Sequence, residues 1–546
     1  MFYSDRPPYP VFAVLVFALF TYALTHLHST APFSGADSDS VNPAASIPDG
    51  SPGSASSSSR LEIVIPETDS IRVNQSRHRV AGNTHPANRV TIDGTEARVF
   101  PSGAFAGIIE LPTGYSRPTV QAVTPEGDTL LHEFHFYRDK PADSVPESLP
   151  ADPVHLFDES KAAEVVGKHA FVTSGSDRDR LGGRIVGYLD EGILLEITAR
   201  QGGFYRIRLS DRRKVYIPVR FVRILHDAPP MPRPSTGSVS LTSDDRTDVV
   251  SLTVGARLPW IATMQTNPNA IEVDIFGTEA DVSRALSEPG GNEAILDIQL
   301  TDMGDGHARL RIVLAHDLHW GFHAGYGIGQ TLRIGIRRPP GPVLPDTPLE
   351  GRTIAIDPGH GGSNFGARGA TGALEKDVAL EISKRIQRNL ERNGASVVMT
   401  RSEDTVAGMP QRIDRLLASD ADVLLSIHAN SVSYAVDPLN IRGTSTYYRY
   451  REFRPFAQAI HSHMTELPLH NFGLIGNFNF TLNAMTAMPN VLVETAFLSH
   501  PEDEMKLLDP DFQDQIAEQL TLALMRFFRE HGKPAAFFPL LPGFLP

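Results

Sequence analysis

The chain contains no cysteine in its 546 residues. That absence excludes a disulfide framework and a thiolate metal site, so any metal must be held by histidine, aspartate or glutamate. A basic surplus is also missing. Asp and Glu number 64 against 50 Lys and Arg, which gives a formal charge of −14. A general nucleic-acid binder needs a basic face, so no nucleic-acid partner is expected. Long apolar runs are absent except for one, Val11–Leu24, with Leu27 just beyond. Its length suits a signal-peptide core or a short membrane anchor, since a full span wants about 20 apolar residues. Arg6 precedes the run, and Ser34-Gly35-Ala36 offers a small-residue cleavage site. The pattern of residues 1–28 predicts export, with cleavage and retention both open.

What is present divides into segments of different grammar. Residues 29–60 are Ser, Ala, Pro, Gly and Asp with almost no large apolar side chain. Such a composition cannot bury a core and reads as a flexible linker. Three stretches of short alternating strands follow, at 61–138, 163–226 and 238–338, separated by linkers at 139–162 and 227–237. In the first, LEIVI, NRVTIDG, EARVF, GIIEL, TVQAV and LLHEFHFY are spaced by turns every 8–12 residues, the signature of an all-β sandwich. VTIDGTEARVFPSGAF resembles the immunoglobulin-like modules of secreted bacterial enzymes. His132 and His135 lie three apart on one expected strand and should face opposite ways. The second stretch, with its Gly187…Gly192 turn, Gly203-Phe204-Tyr205 and Tyr216-Ile217-Pro218, resembles a bacterial SH3-like domain. Its Arg212-Arg213-Lys214 falls in an expected hairpin turn and reads as a solvated tip. The third ends in the strand TLRIGIR after GIGQ; it resembles the AMIN localisation domain that precedes cell-wall amidases. None of the three shows a catalytic constellation, so they read as positioning or targeting modules. A Pro-rich linker spans 339–350.

From 351 to 532 strands alternate with helices, which predicts an α/β catalytic domain with a mostly parallel sheet. Residues 533–546 form a tail. Val378, Ile382, Ile386 and Leu390 recur every four residues along one face of a helix predicted over 376–392. Ligands of such sheets gather outside the carboxyl ends of the strands. His360 follows IAID, His428 follows LLSI and Glu494 follows VLV, so all three should meet on that edge. Glu375 sits at the start of its helix, where the dipole favours a carboxylate, and the Gly-rich loop between lets it return toward His360. A catalytic zinc takes three protein ligands and keeps a fourth position open; two His and one Glu are a common set. Amide hydrolysis also needs a carboxylate that is not a ligand to carry a proton, and Glu494 fits that role.

DPGHGG, NFGARG, LEKDVAL, SIHAN and MPNVLVETAFLSHPED together resemble the zinc-dependent N-acetylmuramoyl-L-alanine amidases of the amidase-3 type. The resemblance covers essentially the whole of 351–532. It implies Zn2+ on His360, Glu375 and His428, catalysis by Glu494, and substrate contacts at Arg368, Asn430, Arg442 and Asn483. The implied reaction is hydrolysis of the amide joining N-acetylmuramic acid to L-alanine in peptidoglycan. The implied address is the cell envelope, either periplasm or the outer face of the inner membrane, with envelope targeting partners for the β modules. Two departures from the family stand out: His500 where Asn is frequent, and Asn483-Ala484-Met485 where an Arg is frequent. His461 and His463, two apart on an expected helix over 453–467, read as surface residues. Some family members carry a long helical insert that plugs the site. Here only that short helix stands between GTSTYY and NFGLIG. A zinc peptidase and an inactive wall-binding scaffold are the competing readings.

Overall fold

The computed structural model describes residues 60–140, 152–176, 183–226, 231–281, 293–341 and 343–532. The apolar segment 1–28, nearly all of linker 29–60 and the tail 533–546 lie outside them. Among the described residues no helix is long and apolar enough to cross a membrane. Two compact units result.

Of the described residues, the first unit comprises 60–140 with two later pieces, 369–372 and 431–440. Its strands form two three-stranded sheets and one four-stranded sheet. Their inward residues, among them Val80, Val90, Phe105, Val120 and Phe136, close one apolar core. LLHEFHFY is not one strand. It divides at Phe134 into Thr129–Glu133 and His135–Arg138, which belong to different sheets. Phe134 is fully buried and meets Phe136 edge-on at 5.9 Å, so burying this ring outweighs continuing the ladder. His132 is within 2.9 Å of Asp69, and His135 stacks on Tyr115. In the later pieces, Tyr434 stacks on His78 at 5.2 Å and accepts the Arg79 amide through its carbonyl.

The second unit begins with a seven-stranded sheet. One of its strands, Val154–Val165, occupies much of the expected linker 139–162 and pairs with Leu194–Gln201. Two four-stranded antiparallel sheets follow between Val239 and Arg337. These regions share one core, which joins Val172, Ile197 and Ile217 to Val250, Val273 and Leu310.

The C-terminal part is α/β. The strand order is Ser396–Met399, Thr353–Pro358, Val423–Asn430, Asn490–Phe497, Thr444–Tyr447 and Asn471–Ile475. The first four run parallel, and Thr444–Tyr447 pairs antiparallel to its neighbour. Alternate residues of a strand serve opposite faces. Ile354, Ile356, Leu425 and Val493 pack under helices α1 (Glu375–Arg392), α3 (Arg454–Met464) and α5 (Pro510–His531). Ala355 and Leu424 pack on the other side against Ile413 and Leu416 of α2 (Met409–Ala418). The remaining helix, α4 (Pro501–Leu508), starts at His500, whose ring accepts the Glu502 amide at 3.2 Å. His500 is therefore an N-cap, which satisfies one of the orphan amides of a helix start. Helix α3 shows its apolar stripe at Ala457, Ile460 and Met464, and His461 shares that stripe. It is buried, with Thr446 and Asn471 as ring partners, which corrects the expectation of a surface histidine.

Candidate metal centre

The Thr353–Pro358 strand delivers its chain into a turn at Gly359-His360, and His360 there adopts a left-handed backbone, φ +61°. A non-glycine residue in that region needs support from its surroundings. Two buried arginines supply it. Arg412 donates to the carbonyls of Pro358 and His360, and Arg401 to those of Pro358 and Gly359. Arg412 is in turn held by Asp357 at 2.5 Å, whose carboxylate also accepts from Thr400 and Ser426. Burial pushes the Asp357 carboxyl up, but the Arg412 charge and these donors outweigh it and leave it below the usual range.

Glu375 opens α1 and reaches back across the loop. One carboxylate oxygen accepts the Ala367 amide at 2.7 Å, while the other lies 2.9 Å from His360 Nε2 and 2.9 Å from His428 Nδ1. The three donor atoms of His360, Glu375 and His428 lie within 4.8 Å of one another. Asn364 Oδ1 sits 3.1 Å from His360 Nδ1. By accepting from Nδ1–H, Asn364 leaves Nε2 as the nitrogen available to a metal, as an outer partner does for a metal-binding imidazole. Burial lowers the His360 pKa while the Glu375 charge raises it, and the balance is upward. Glu375 is buried too, which alone would raise it; the two imidazoles hold it well below the carboxylate range. Both shifts describe a buried pocket that favours positive charge. Two imidazoles and a carboxylate at this separation suit a divalent cation of the zinc type.

Glu494 lies one strand over, in register with His428 on the adjacent parallel strand. It is 5% exposed. Tyr447 is its neighbour: burial first, then the Glu494 charge, push the phenol well above its ordinary value. Glu494 is not among the three clustered donors.

The four remaining candidates occupy different settings. Asn430 is buried at the end of the His428 strand and hydrogen-bonds with Tyr447. Arg368 lies in the loop before Glu375 and bridges to Leu374. Arg442 pairs with Glu502 and contacts His470. Asn483 is 2% exposed and donates to Asn490 Oδ1 at 3.2 Å. Residue patterns alone did not single out Asp357, Asn364, Arg401 or Arg412 as supports. The only signal was that Asp357 lies near the end of the strand leading to His360 and that Arg401 follows the strand Ser396–Met399.

Residues 354–526 match the family model described as N-acetylmuramoyl-L-alanine amidase, Amidase_3. The C-terminal domain belongs to this family. The amidase domain is 34% identical over 186 residues to N-acetylmuramoyl-L-alanine amidase LytC of Bacillus subtilis (strain 168), a match covering 33% of this chain and 36% of that protein. It is 35% identical over 179 residues to the probable cell wall amidase LytH of Staphylococcus aureus, covering 32% and 56%. The chain thus spans about half or less of these relatives' lengths. Among solved structures, N-acetylmuramoyl-L-alanine amidase AmiC2 of Nostoc punctiforme matches at 32% identity, covering 33% of this chain and 97% of that one, with a TM-score of 0.31.

Proposed function

We propose that this protein is an N-acetylmuramoyl-L-alanine amidase that hydrolyses the bond between N-acetylmuramic acid and L-alanine in peptidoglycan. The observation that carries the reading is the convergence of His360, Glu375 and His428 on one buried point, with a second carboxylate, Glu494, one strand away. In this reading the three clustered residues hold Zn2+, which when bound lowers the pKa of a water and polarises a carbonyl. Glu494 takes the proton of the attacking water and returns it to the leaving nitrogen. Asn364 and Glu375 fix the imidazoles, and Arg401 with Arg412 fix the turn that presents His360. Arg368, Asn430, Arg442 and Asn483 are the proposed substrate contacts. For Arg442 and Asn483 that role competes with the partners they already hold.

The three β-rich regions are proposed as Ig-like, SH3-like and AMIN-like modules that position the enzyme on the wall, with the N-terminal apolar segment as export signal or anchor. The place of action would be the cell envelope, in the periplasm or on the outer face of the inner membrane. We infer further that the centre is not self-plugged. Helix α3, which stands where a plug would be inserted, spends its apolar face on the core: Phe456 meets Phe527 of α5 at 4.9 Å.

The test is a Glu494→Ala variant assayed on purified sacculi. It should retain zinc by elemental analysis and lose hydrolysis by about 10²–10⁴-fold, the usual worth of a general base. Surviving activity would sink the assignment. Release of peptides with a free L-alanine amine identifies the bond; cleavage of plain peptides at a similar rate would instead mark a peptidase. Activity that appears only after a partner is added would overturn the unplugged reading.

A further inference from the structure

Two apolar side chains stand exposed beside the metal centre and are not among its donors. Phe365 leaves 46% of its surface open and Val406 72%. Phe365 lies between two residues that touch the donors. Asn364 reaches His360 Nδ1 at 3.1 Å, and a Cβ on Gly366 would fall 2.4 Å from a Glu375 oxygen and 2.7 Å from the His360 ring. The Phe365 backbone therefore passes along the rim of the pocket. Its carbonyl accepts the Lys376 amide at 3.2 Å, and Lys376 Nζ stands 5.0 Å from the ring centre. That ammonium is fixed in turn by the Gly362 carbonyl at 3.1 Å and by Asp404 at 2.5 Å. A cation at such a distance is attracted to the ring, so the phenyl group is held while nearly half of the residue stays in water. Val406 lies against the same loop, since a Cβ on Gly362 would meet its side chain at 2.3 Å. Single exposed apolar residues are ordinary. A ring fixed at the rim of a hydrolytic centre, however, offers a flat face to whatever enters.

The chemistry of the reaction says which part of the substrate that is. Glu494 serves both the attacking water and the leaving nitrogen, so both lie on its side of the reacting carbon. The carbonyl oxygen faces the three donors. The remaining substituent is the lactyl carbon that carries the muramic acid ring, and it is directed away from Glu494. Strand order gives that direction. From Asn490–Phe497 the sheet runs through Val423–Asn430, which carries His428, to Thr353–Pro358, which leads to His360, and on to Ser396–Met399. Phe365 follows the third of these strands and Val406 the fourth, whereas Glu494 stands on the first. Glu494 and His360 are two strand spacings apart, about 10 Å, with the reacting carbon between them; the lactyl ether spans what remains to the rim. A pyranose presents faces of C–H bonds that pack on an aromatic ring as other apolar groups do. We propose that Phe365 is a specificity-determining residue that stacks on the muramic acid ring, with Val406 beside it, while the stem peptide leaves on the Glu494 side. The proposal rests on the amidase reading.

The experiment measures steady-state release of the L-alanine amine by the full zinc-loaded chain from two probes. One is an N-acetylmuramoyl dipeptide headed by L-alanine. The other is the same dipeptide bearing only the lactyl group, without the sugar. Phe365→Ala should raise KM for the muramoyl probe about 10-fold, equivalent to covering roughly 55 Å² of apolar surface, and lower kcat by less than about 3-fold. Its penalty on the lactyl probe should be at least about 5-fold smaller. Phe365→Trp should keep the preference for the sugar, and Phe365→Leu, apolar but not flat, should lose most of it. An equal penalty on both probes, or a Phe365→Leu variant that behaves as wild type, overturns the proposal. So does a fall in kcat accompanied by loss of zinc, which would make Phe365 a support of the donors. If the wild type cleaves the muramoyl probe and Phe365→Ala matches it, this proposal alone falls. A wild type that cleaves neither probe sinks the amidase reading with it.

Discussion

At the residue scale, Gly359 and Gly366 set how closely the donors approach. A Cβ on Gly359 would lie 2.5 Å from the His428 ring; one on Gly366 would lie 2.4 Å from a Glu375 oxygen, at a backbone φ of +70°. Both contacts are shorter than side chains tolerate, so Gly359→Ala should displace His428. Metal affinity should drop at least 10–100-fold, the range seen when the shell around a ligand is disturbed. Competition against a colorimetric chelator reads this directly. Arg412 offers a second prediction. Replacing it by Met leaves Asp357 charged and buried without its partner, which should cost about 3–5 kcal/mol and loosen the His360 turn. A thermal melt of Arg412→Met that superimposes on wild type would contradict the account of the turn.

At the element scale, the parallel strands bring the donors to one edge, and α1 and α5 back them. Phe527 on α5 is fully buried between Trp320 and Phe456. Phe527→Ala should destabilise the amidase domain by about 3–5 kcal/mol, seen as a lowered unfolding midpoint in urea. The periodic face of α1 was legible because its apolar residues repeat at helical spacing. The Val154–Val165 strand was not: most of its residues are exposed or half-buried, so no alternation of apolar and polar marks it. It is recruited by pairing, through backbone groups that every residue carries. Phe134 shows the same limit. Its neighbours alternate like one strand, and only the core decided that the ladder should break there.

At the scale of the whole molecule, stability should depend on pH through buried histidines of the sheet region before the amidase domain. Burial lowers the pKa of His319 to about 4, and His316 and His323 are lowered by the same cause. His319 is 2% exposed and bonds the Gln265 carbonyl. Its folded pKa lies below the unfolded value of about 6.5, so as pH falls the unfolded chain takes up the proton first. Stability is then lost progressively between about pH 6.5 and about pH 4, by about 3 kcal/mol for His319 alone. Melting curves across that window should show the decline, and His319→Asn should flatten it. An unchanged slope in the variant would mean that His319 titrates in the folded state as it does in the unfolded one. Zinc bound at the proposed centre would act on the same balance, since a ligand of the native state raises the melting temperature. Chelation should lower it, and His360→Ala should remove that response.

Composition alone excluded thiolate ligands and disulfides. The order of strands and helices predicted an α/β sheet, and the placement of His360, His428 and Glu494 after apolar runs assigned them to one edge. Those features are local, because a side-chain period or a residue at a strand end needs no partner to be read. Distances between residues far apart in the chain are not local. That His360, Glu375 and His428 converge within 4.8 Å, that Arg401 and Arg412 hold a left-handed histidine, and that His461 is buried beside Thr446 and Asn471 all depend on packing between distant segments. Tertiary structure decided these, because burial and charge pairing exist only once the chain has folded.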